Sequence, residues 1–470
     1  MTSSKPGGPR RPQRRPGPAK PRPAKPRPAG AQPDQAAEGE ATPIEGLEAR
    51  RAALALVAGA LDHRGGLEEA YSRKPFAGLE LRDRALARMI AMTILRRLGA
   101  IDRLLDAKLQ KAPPEAVRML LRLGAAQALF METPAFAAVD TTVRLAQADG
   151  ATRPFKGLIN AVLRGLLREQ PQAAPASPAD VEVLAPNWLF ARWRAAYGED
   201  AARRIAAVIA EEPLTDLSLR DAGDLPALTA ALEAEPLPGG SLRVPRRGDV
   251  ADWPGYGEGQ WWVQDAAAAI PARLLHIKAG ETAIDLCAAP GGKTLQLAAA
   301  GAKVTALDRS AQRLRRLTQS LERTGLTAEV AAAEAEHWSD PRQFDAVLLD
   351  APCSATGTFR RHPDVLWGSK PTDIAMLARV QARLLDAAAK RTAPGGRMVY
   401  CVCSLEPEEG EAQVEAFLAR TPEFELSPIA PGEGGAPEGS VAETGMLRIL
   451  PYQRAGGLDG FFAARLARKS

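Results

Sequence analysis

Between Ala283 and Val402, four short apolar runs (Ala283 to Cys287, Val304 to Leu307, Phe344 to Leu349, Met398 to Val402) alternate with helical stretches at Thr294 to Ala300, Ser310 to Thr324 and Thr372 to Lys390. Continuous apolar runs of strand length read as strands buried on both faces, and a helix between successive strands reads as a crossover. The alternation predicts a doubly wound, mostly parallel α/β sheet. In such a sheet, ligands bind beyond the carboxyl ends of the strands.

Those ends carry the chemistry. The third run breaks into Asp350-Ala351-Pro352-Cys353-Ser354, which sets a carboxylate and a thiol at the crevice. The first run leads into Asp285-Leu286-Cys287-Ala288-Ala289-Pro290-Gly291-Gly292-Lys293-Thr294, a glycine-rich turn opening a helix. Glycine admits close backbone approach, and the exposed amides of a helix N-terminus bind carboxylate or phosphate. A P-loop would need a glycine where Cys287 stands, and a dinucleotide turn would need Gly-x-Gly-x-x-Gly; neither is supplied. Asp308 ends the second run roughly twenty residues on, where an acid in such folds binds ribose hydroxyls. That placement favours an adenosine-containing cofactor, and without a hydride-transfer motif S-adenosylmethionine is the natural candidate. Glu334, after three alanines, is the next acid expected near it.

The fourth run delivers Tyr400-Cys401-Val402-Cys403-Ser404-Leu405-Glu406-Pro407-Glu408-Glu409. Cys401 and Cys403 share a face if the strand continues that far, whereas a strand ending earlier turns Cys403 into the cleft. A cysteine-only zinc site needs paired cysteines at short spacing, and the chain has no second such pair, so no metal is expected.

The 470 residues, 46% hydrophobic, exceed one ordinary core and imply two or three domains. No apolar run approaches the roughly 20 residues of a membrane span, and nothing resembles a signal peptide. Four cysteines in so long a chain fit a reducing cytoplasm. The net charge of +5 lies in the tail: up to Pro33 there are nine basic residues and no acid, and beyond it Asp and Glu outnumber Lys and Arg. RNA binding by the folded part must therefore come from a local patch.

Residues 1–45, rich in Pro, Arg, Lys and Ala, read as a disordered tail, either solubilising or in non-specific contact with phosphates. Residues 46–170 read as a helical bundle. Leu86, Met89, Ile90, Thr93 and Ile94 form one stripe, and Val117, Leu120, Leu121, Gly124 and Ala128 another. Residues 171–184 read as a linker and 185–256 as a small α+β module. In that module Trp188, Phe190, Trp193 and Tyr197 serve better as core than as a stacking surface for bases. Residues 257–470 hold the α/β sheet.

The segment Phe155-Lys156-Gly157-Leu158-Ile159-Asn160-Ala161-Val162-Leu163-Arg164 resembles the last helix of the NusB family of RNA-binding helical domains. The sheet unit resembles the Sun/Nop family of RNA cytosine-5 methyltransferases. The motifs are Val263-Gln264-Asp265, the Cys287 to Thr294 loop, Asp350 to Ser354 with Gly357, Arg360-Arg361-His362-Pro363-Asp364, Cys403-Ser404 and Asp459-Gly460-Phe461-Phe462. Three features depart from the pattern: Val402 replaces a usual threonine, Glu334 replaces a usual aspartate, and the basic tail is extra.

The resemblance implies a Rossmann-like, S-adenosylmethionine-dependent domain acting on RNA, with small-subunit ribosomal RNA the expected substrate; a cytoplasmic monomer is expected. Cys403 would be the nucleophile, Cys353 would assist product release, and Asp350, protonated, would hold the base. Cys287, Ala288, Ala289, Pro290, Gly291, Gly292, Lys293, Asp308, Arg313, Glu334 and Asp350 would hold the cofactor, and Arg360, Arg361 and His362 the RNA phosphates. The residue types suit the chemistry: carbon 5 of cytosine is a weak nucleophile until a thiolate adds to carbon 6 and breaks aromaticity. The alternatives are a non-catalytic RNA-binding assembly factor and a methyltransferase for transfer RNA.

Overall fold

The computed structural model describes residues 46–62, 66–169, 178–245 and 248–470; the tail expected over 1–45 lies outside them. Seven helices come first: α1 (Leu47–Leu61), α2 (Gly66–Tyr71), α3 (Leu81–Arg96), α4 (Leu98–Asp106), α5 (Glu115–Phe130), α6 (Ala135–Ala148) and α7 (Lys156–Glu169). Small residues let α1 and α3 pack closely: Ala49, Ala52, Ala53 and Ala60 on one and Ala87 and Ala91 on the other are buried. This turns α3 away from the expected stripe. Ile90 and Ile94 face the core, but Met89 is 52% exposed.

The linker expected over 171–184 is corrected over its second half. Pro178–Leu184 form a short helical segment whose Val181 and Leu184 are buried. α8 (Asn187–Tyr197) and α9 (Glu199–Ala207) follow. Phe190 and Trp193 are buried and Trp188 is half-buried in the same cluster, and the Tyr197 hydroxyl donates to the Leu405 carbonyl. These aromatics are core, as preferred from sequence.

The next elements are β1 (Thr215–Leu219), α10 (Leu225–Leu232), β2 (Glu235–Leu237), β3 (Ser241–Val244) and β4 (Trp261–Val263), forming an antiparallel sheet in the order β2-β3-β1-β4. The expected boundary at 256 falls short, because β4 pairs with β1 beyond it. Inside this sheet Arg243 and Asp216 form a buried ion pair at 2.8 Å. Arg243 also donates to the Ala455 and Gly457 carbonyls at 2.8 Å, which fastens the small sheet to the loop before the last strand.

Then come α11 (Ala266–Arg273), β5 (Thr282–Leu286), α12 (Gly292–Ala299), β6 (Lys303–Asp308), α13 (Ala311–Thr324), β7 (Glu329–Ala332), β8 (Phe344–Asp350), α14 (Asp364–Gly368), α15 (Pro371–Arg391), β9 (Thr392–Val402), α16 (Glu411–Arg420), β10 (Phe424–Leu426), β11 (Leu447–Ile449) and β12 (Phe461–Arg468). The sheet order is β10-β12-β9-β8-β5-β6-β7, with β11 also on β12. The stretch from β9 to β7 is parallel and β10, β11 and β12 are antiparallel. α13 shows why its residues fold as they do. Ser310 caps its start by accepting from the Arg313 amide, Leu314, Leu317 and Leu321 face inward at helical spacing, and Gly325 ends it in the left-handed region.

The helical bundle docks beside the loop between β8 and α15. Trp367 Nε1 donates to the Leu95 carbonyl at 2.9 Å and the Leu67 amide donates to Asp364 at 3.2 Å. Arg96 donates to the Glu211 carbonyl at 3.1 Å, and Arg316 pairs with Glu68 at 3.2 Å.

Candidate active site

The carboxyl ends of β5, β6, β8 and β9 meet at one crevice. After β5 the Cys287 and Ala288 amides both donate to the Leu307 carbonyl, at 2.8 and 2.9 Å, and this folds the turn back against β6. Gly291 begins α12 at a φ of 118°, and a Cβ there would lie 2.5 Å from Leu317 Cδ1. Only glycine allows the helix to start this close to α13. The first amides of α12 have no partner within the helix and can receive an anionic group.

Asp308 ends β6 and accepts from the Ala289 amide at 3.1 Å and the Ser310 amide at 2.8 Å. Arg313 donates to the Ala289 carbonyl, so it braces the turn rather than reaching into the crevice. Glu334 is exposed and bonded to His337 at 3.0 Å. Buried Asp285, one strand over, accepts from the Thr294 hydroxyl at 2.6 Å, while its Oδ1 lacks a partner. Burial pushes its pKa up to about 7.

Asp350 ends β8 in register with Cys401 of β9. Lys293 Nζ lies 2.7 Å from Asp350 Oδ2 and 4.9 Å from the centre of the Phe461 ring. Burial opposes the lysine charge, yet the adjoining carboxylate holds its pKa above the ordinary value. Lys293 thus links the turn after β5 to the carboxylate at the end of β8.

β9 ends at Val402, so Cys401 is fully buried in the strand and Cys403 turns out of it. Cys401 Sγ donates to Asp350 Oδ1 at 3.6 Å. The Cys353 and Cys403 sulfurs stand 3.5 Å apart. The hydrogen bond with Cys403, followed by burial, pushes the Cys353 pKa well above the ordinary thiol value. Burial does the same to Cys287 and Cys401. All three are held as neutral thiols.

Arg360, expected to hold RNA phosphates, is corrected by its burial. Arg360 is 2% exposed, donates to the Gly456 carbonyl at 2.7 Å, and lies 3.5 Å from Asp265 and 3.9 Å from Asp459. Arg361 is bonded to Asp459. Two arginines compensated by two buried aspartates join α11, the loop before α14 and the loop before β12; Arg360 has no face left for a phosphate. His362 is exposed.

Sequence reasoning missed the group beneath both thiols. Glu409, fully buried, accepts from the Ser354 amide at 2.9 Å, the Ser404 hydroxyl at 2.6 Å, Gln381 Nε2 at 3.0 Å and the Ser354 hydroxyl. The one available signal was the serine that follows both Cys353 and Cys403.

A doubly wound sheet with a glycine turn after its first strand, an acid after its second and two thiols beside an acid after its last two defines an S-adenosylmethionine-dependent methyltransferase. The family described as 16S rRNA methyltransferase RsmB/F matches residues 272–467, and the NusB family matches residues 47–168. The chain is 38% identical over 407 residues to the ribosomal RNA small subunit methyltransferase B of Salmonella arizonae and 36% identical over 407 residues to that of Vibrio cholerae. These alignments cover 83% of this chain, with 91% and 90% of the relatives. A crystal structure titled PH0851 superposes with a TM-score of 0.70 at 25% identity, covering 90% of this chain and 99% of that one. A methyltransferase homologue from Pyrococcus horikoshii gives 0.53 at 26% identity, covering 62% and 99%. The chain belongs to the RsmB/F family of 16S rRNA methyltransferases.

Proposed function

We propose that this protein methylates carbon 5 of a cytosine in small-subunit ribosomal RNA through a covalent Cys403 adduct. The observation that carries the reading is the pair of sulfurs 3.5 Å apart at the ends of adjacent parallel strands, beside the Lys293–Asp350 pair.

The crevice fits the cofactor. The Gly291 cradle, the open amides of α12, Asp308 and the orphaned Oδ1 of Asp285 converge where a charged, adenosine-bearing molecule needs donors and acceptors. When bound there, S-adenosylmethionine supplies an electrophilic methyl group. The turn from Cys287 to Gly292 and Asp308 would hold it, with Arg313 bracing the turn and Glu334 at the rim.

The chain's own residues prepare the base. Cys403 adds to carbon 6, which makes carbon 5 enamine-like. Asp350 accepts a hydrogen bond from the exocyclic amine or protonated ring nitrogen, and Lys293 supplies the proton. The carbon-5 proton then passes to water, the carbon 6–sulfur bond breaks with its electrons returning to Cys403, the Cys353 thiol donates a hydrogen bond to that departing thiolate, and the ring nitrogen returns its proton to Lys293. A cytosine within a helix shields these atoms, so the base enters unpaired or flipped. Exposed His362 and the NusB-like bundle, residues 46–170, would hold the flanking RNA. The protein would act as a monomer in the cytoplasm, where ribosomal RNA is found; no helix among the described residues is long and apolar enough to cross a membrane.

The test is transfer of tritiated methyl from S-adenosylmethionine to unmodified 16S rRNA, with transfer RNA in parallel and the product mapped by bisulfite sequencing. Label at carbon 5 of one 16S cytosine is expected. Label confined to transfer RNA, or no label with cofactor bound, would overturn the reading.

A further inference from the structure

We propose that Glu409 is a positioning residue for methyl transfer, a buried clamp that holds the two thiol loops in register. The proposal rests on the two-thiol reading above and names a residue that touches neither base nor cofactor.

Cys353 and Cys403 lie on separate loops, and nothing in strand pairing alone fixes one sulfur against the other past the ends of β8 and β9. Each cysteine is followed by a serine, and both serines end on Glu409. Ser354 donates through its amide at 2.9 Å and through its hydroxyl, and Ser404 donates through its hydroxyl at 2.6 Å. The two hydroxyl oxygens are 3.1 Å apart. Gln381 of α15 closes the cluster by donating to Glu409 Oε1 and to the Pro352 carbonyl, each at 3.0 Å. The Tyr400 hydroxyl donates to the Glu409 carbonyl at 2.5 Å, which ties the clamp to β9.

These donors are neutral and side by side, so a group with two acceptor oxygens at their centre satisfies all of them. Glutamine can partly substitute. Its oxygen can take the Ser354 amide and Gln381, while its amide donates to hydroxyls that can also accept. Alanine leaves the buried donors unpaired.

The experiment measures single-turnover methyl transfer to 16S rRNA and the rate of covalent trapping by RNA carrying 5-fluorocytidine, with Glu409→Ala, Glu409→Gln and Cys403→Ala in the full chain. A displacement of about 1 Å between the reacting groups costs on the order of 10²-fold. Glu409→Ala is therefore expected to lose about that factor in both rates, with KM for S-adenosylmethionine and RNA within about twofold, and Glu409→Gln to recover most of the loss. Glu409→Ala rates within about twofold of the parent, or no recovery by Glu409→Gln, overturn the proposal. If Glu409→Ala does not fold, Ser404→Ala removes one leg of the clamp, and an unchanged rate there overturns it equally. Methylation by Cys403→Ala would instead refute the two-thiol reading, whatever the Glu409 variants do.

Discussion

Cys353 Sγ and Cys403 Sγ are 3.5 Å apart on loops that leave the neighbouring parallel strands β8 and β9, and the first of the two is held as a neutral thiol. In the proposed mechanism, one nucleophile and one donor at that spacing would divide adduct formation from adduct release. Cys403→Ala is expected to abolish both methylation and the covalent RNA adduct. Cys353→Ala is expected to form the adduct and release it slowly, so a protein–RNA band resistant to denaturant accumulates on gels. Accumulation in Cys403→Ala instead would reverse the assignment.

Lys293 bridges the glycine turn after β5 and Asp350 at the end of β8. Its ammonium sits 2.7 Å from Asp350 in a buried setting, and removing one partner of a buried pair costs about 3–5 kcal/mol. Asp350 is 30% exposed, which places the cost at the lower end. Lys293→Met is expected to lower the melting temperature and reduce turnover on the order of 10²-fold, as loss of a positioned acid does. Turnover near the parent value would show that Asp350 works without it.

The sheet was legible because buried parallel strands announce themselves as apolar runs; the runs expected from Ala283 and Val304 are Thr282–Leu286 and Lys303–Asp308. The thiols and Asp350 were legible because strand ends face the crevice. What escaped depends on contacts between distant segments. No local pattern shows that Arg360 meets Asp265 and Asp459 or that Glu409 lies under Ser354 and Ser404. β4 was cut from its sheet because its partner β1 lies more than forty residues earlier, across a helix and the strands β2 and β3.

Gly357 joins the two ends of the site. Its amide donates to the Cys403 carbonyl at 3.0 Å, and its carbonyl accepts from the Gly460 amide at 2.8 Å. A Cβ there would lie 2.0 Å from the Gly460 carbonyl oxygen, which is backbone and cannot rotate away. Gly357→Ala must push the Cys353 loop off the segment before β12, at about 1–3 kcal/mol for an overpacked site. Slower adduct formation with cofactor affinity unchanged is the expected result of isothermal titration and trapping kinetics; unchanged kinetics would mean the loop tolerates the shift.

Asp285 gives the fold a pH dependence with a definite sign. Burial, opposed by the Thr294 hydrogen bond and reinforced by the Asp350 charge, raises its pKa from 3.8 to about 7. Between those values the native state holds a proton that the unfolded chain has released, so stability falls as pH rises through the window and levels off above it. The shift corresponds to roughly 4 kcal/mol at most. Asp285→Asn keeps an acceptor for the Thr294 hydroxyl and removes the titration. Denaturation at a series of pH values should therefore show the variant gaining on the parent from pH 4 to 8, with no further gain above. Parallel curves across that range would mean that Asp285 is not protonated in the native fold.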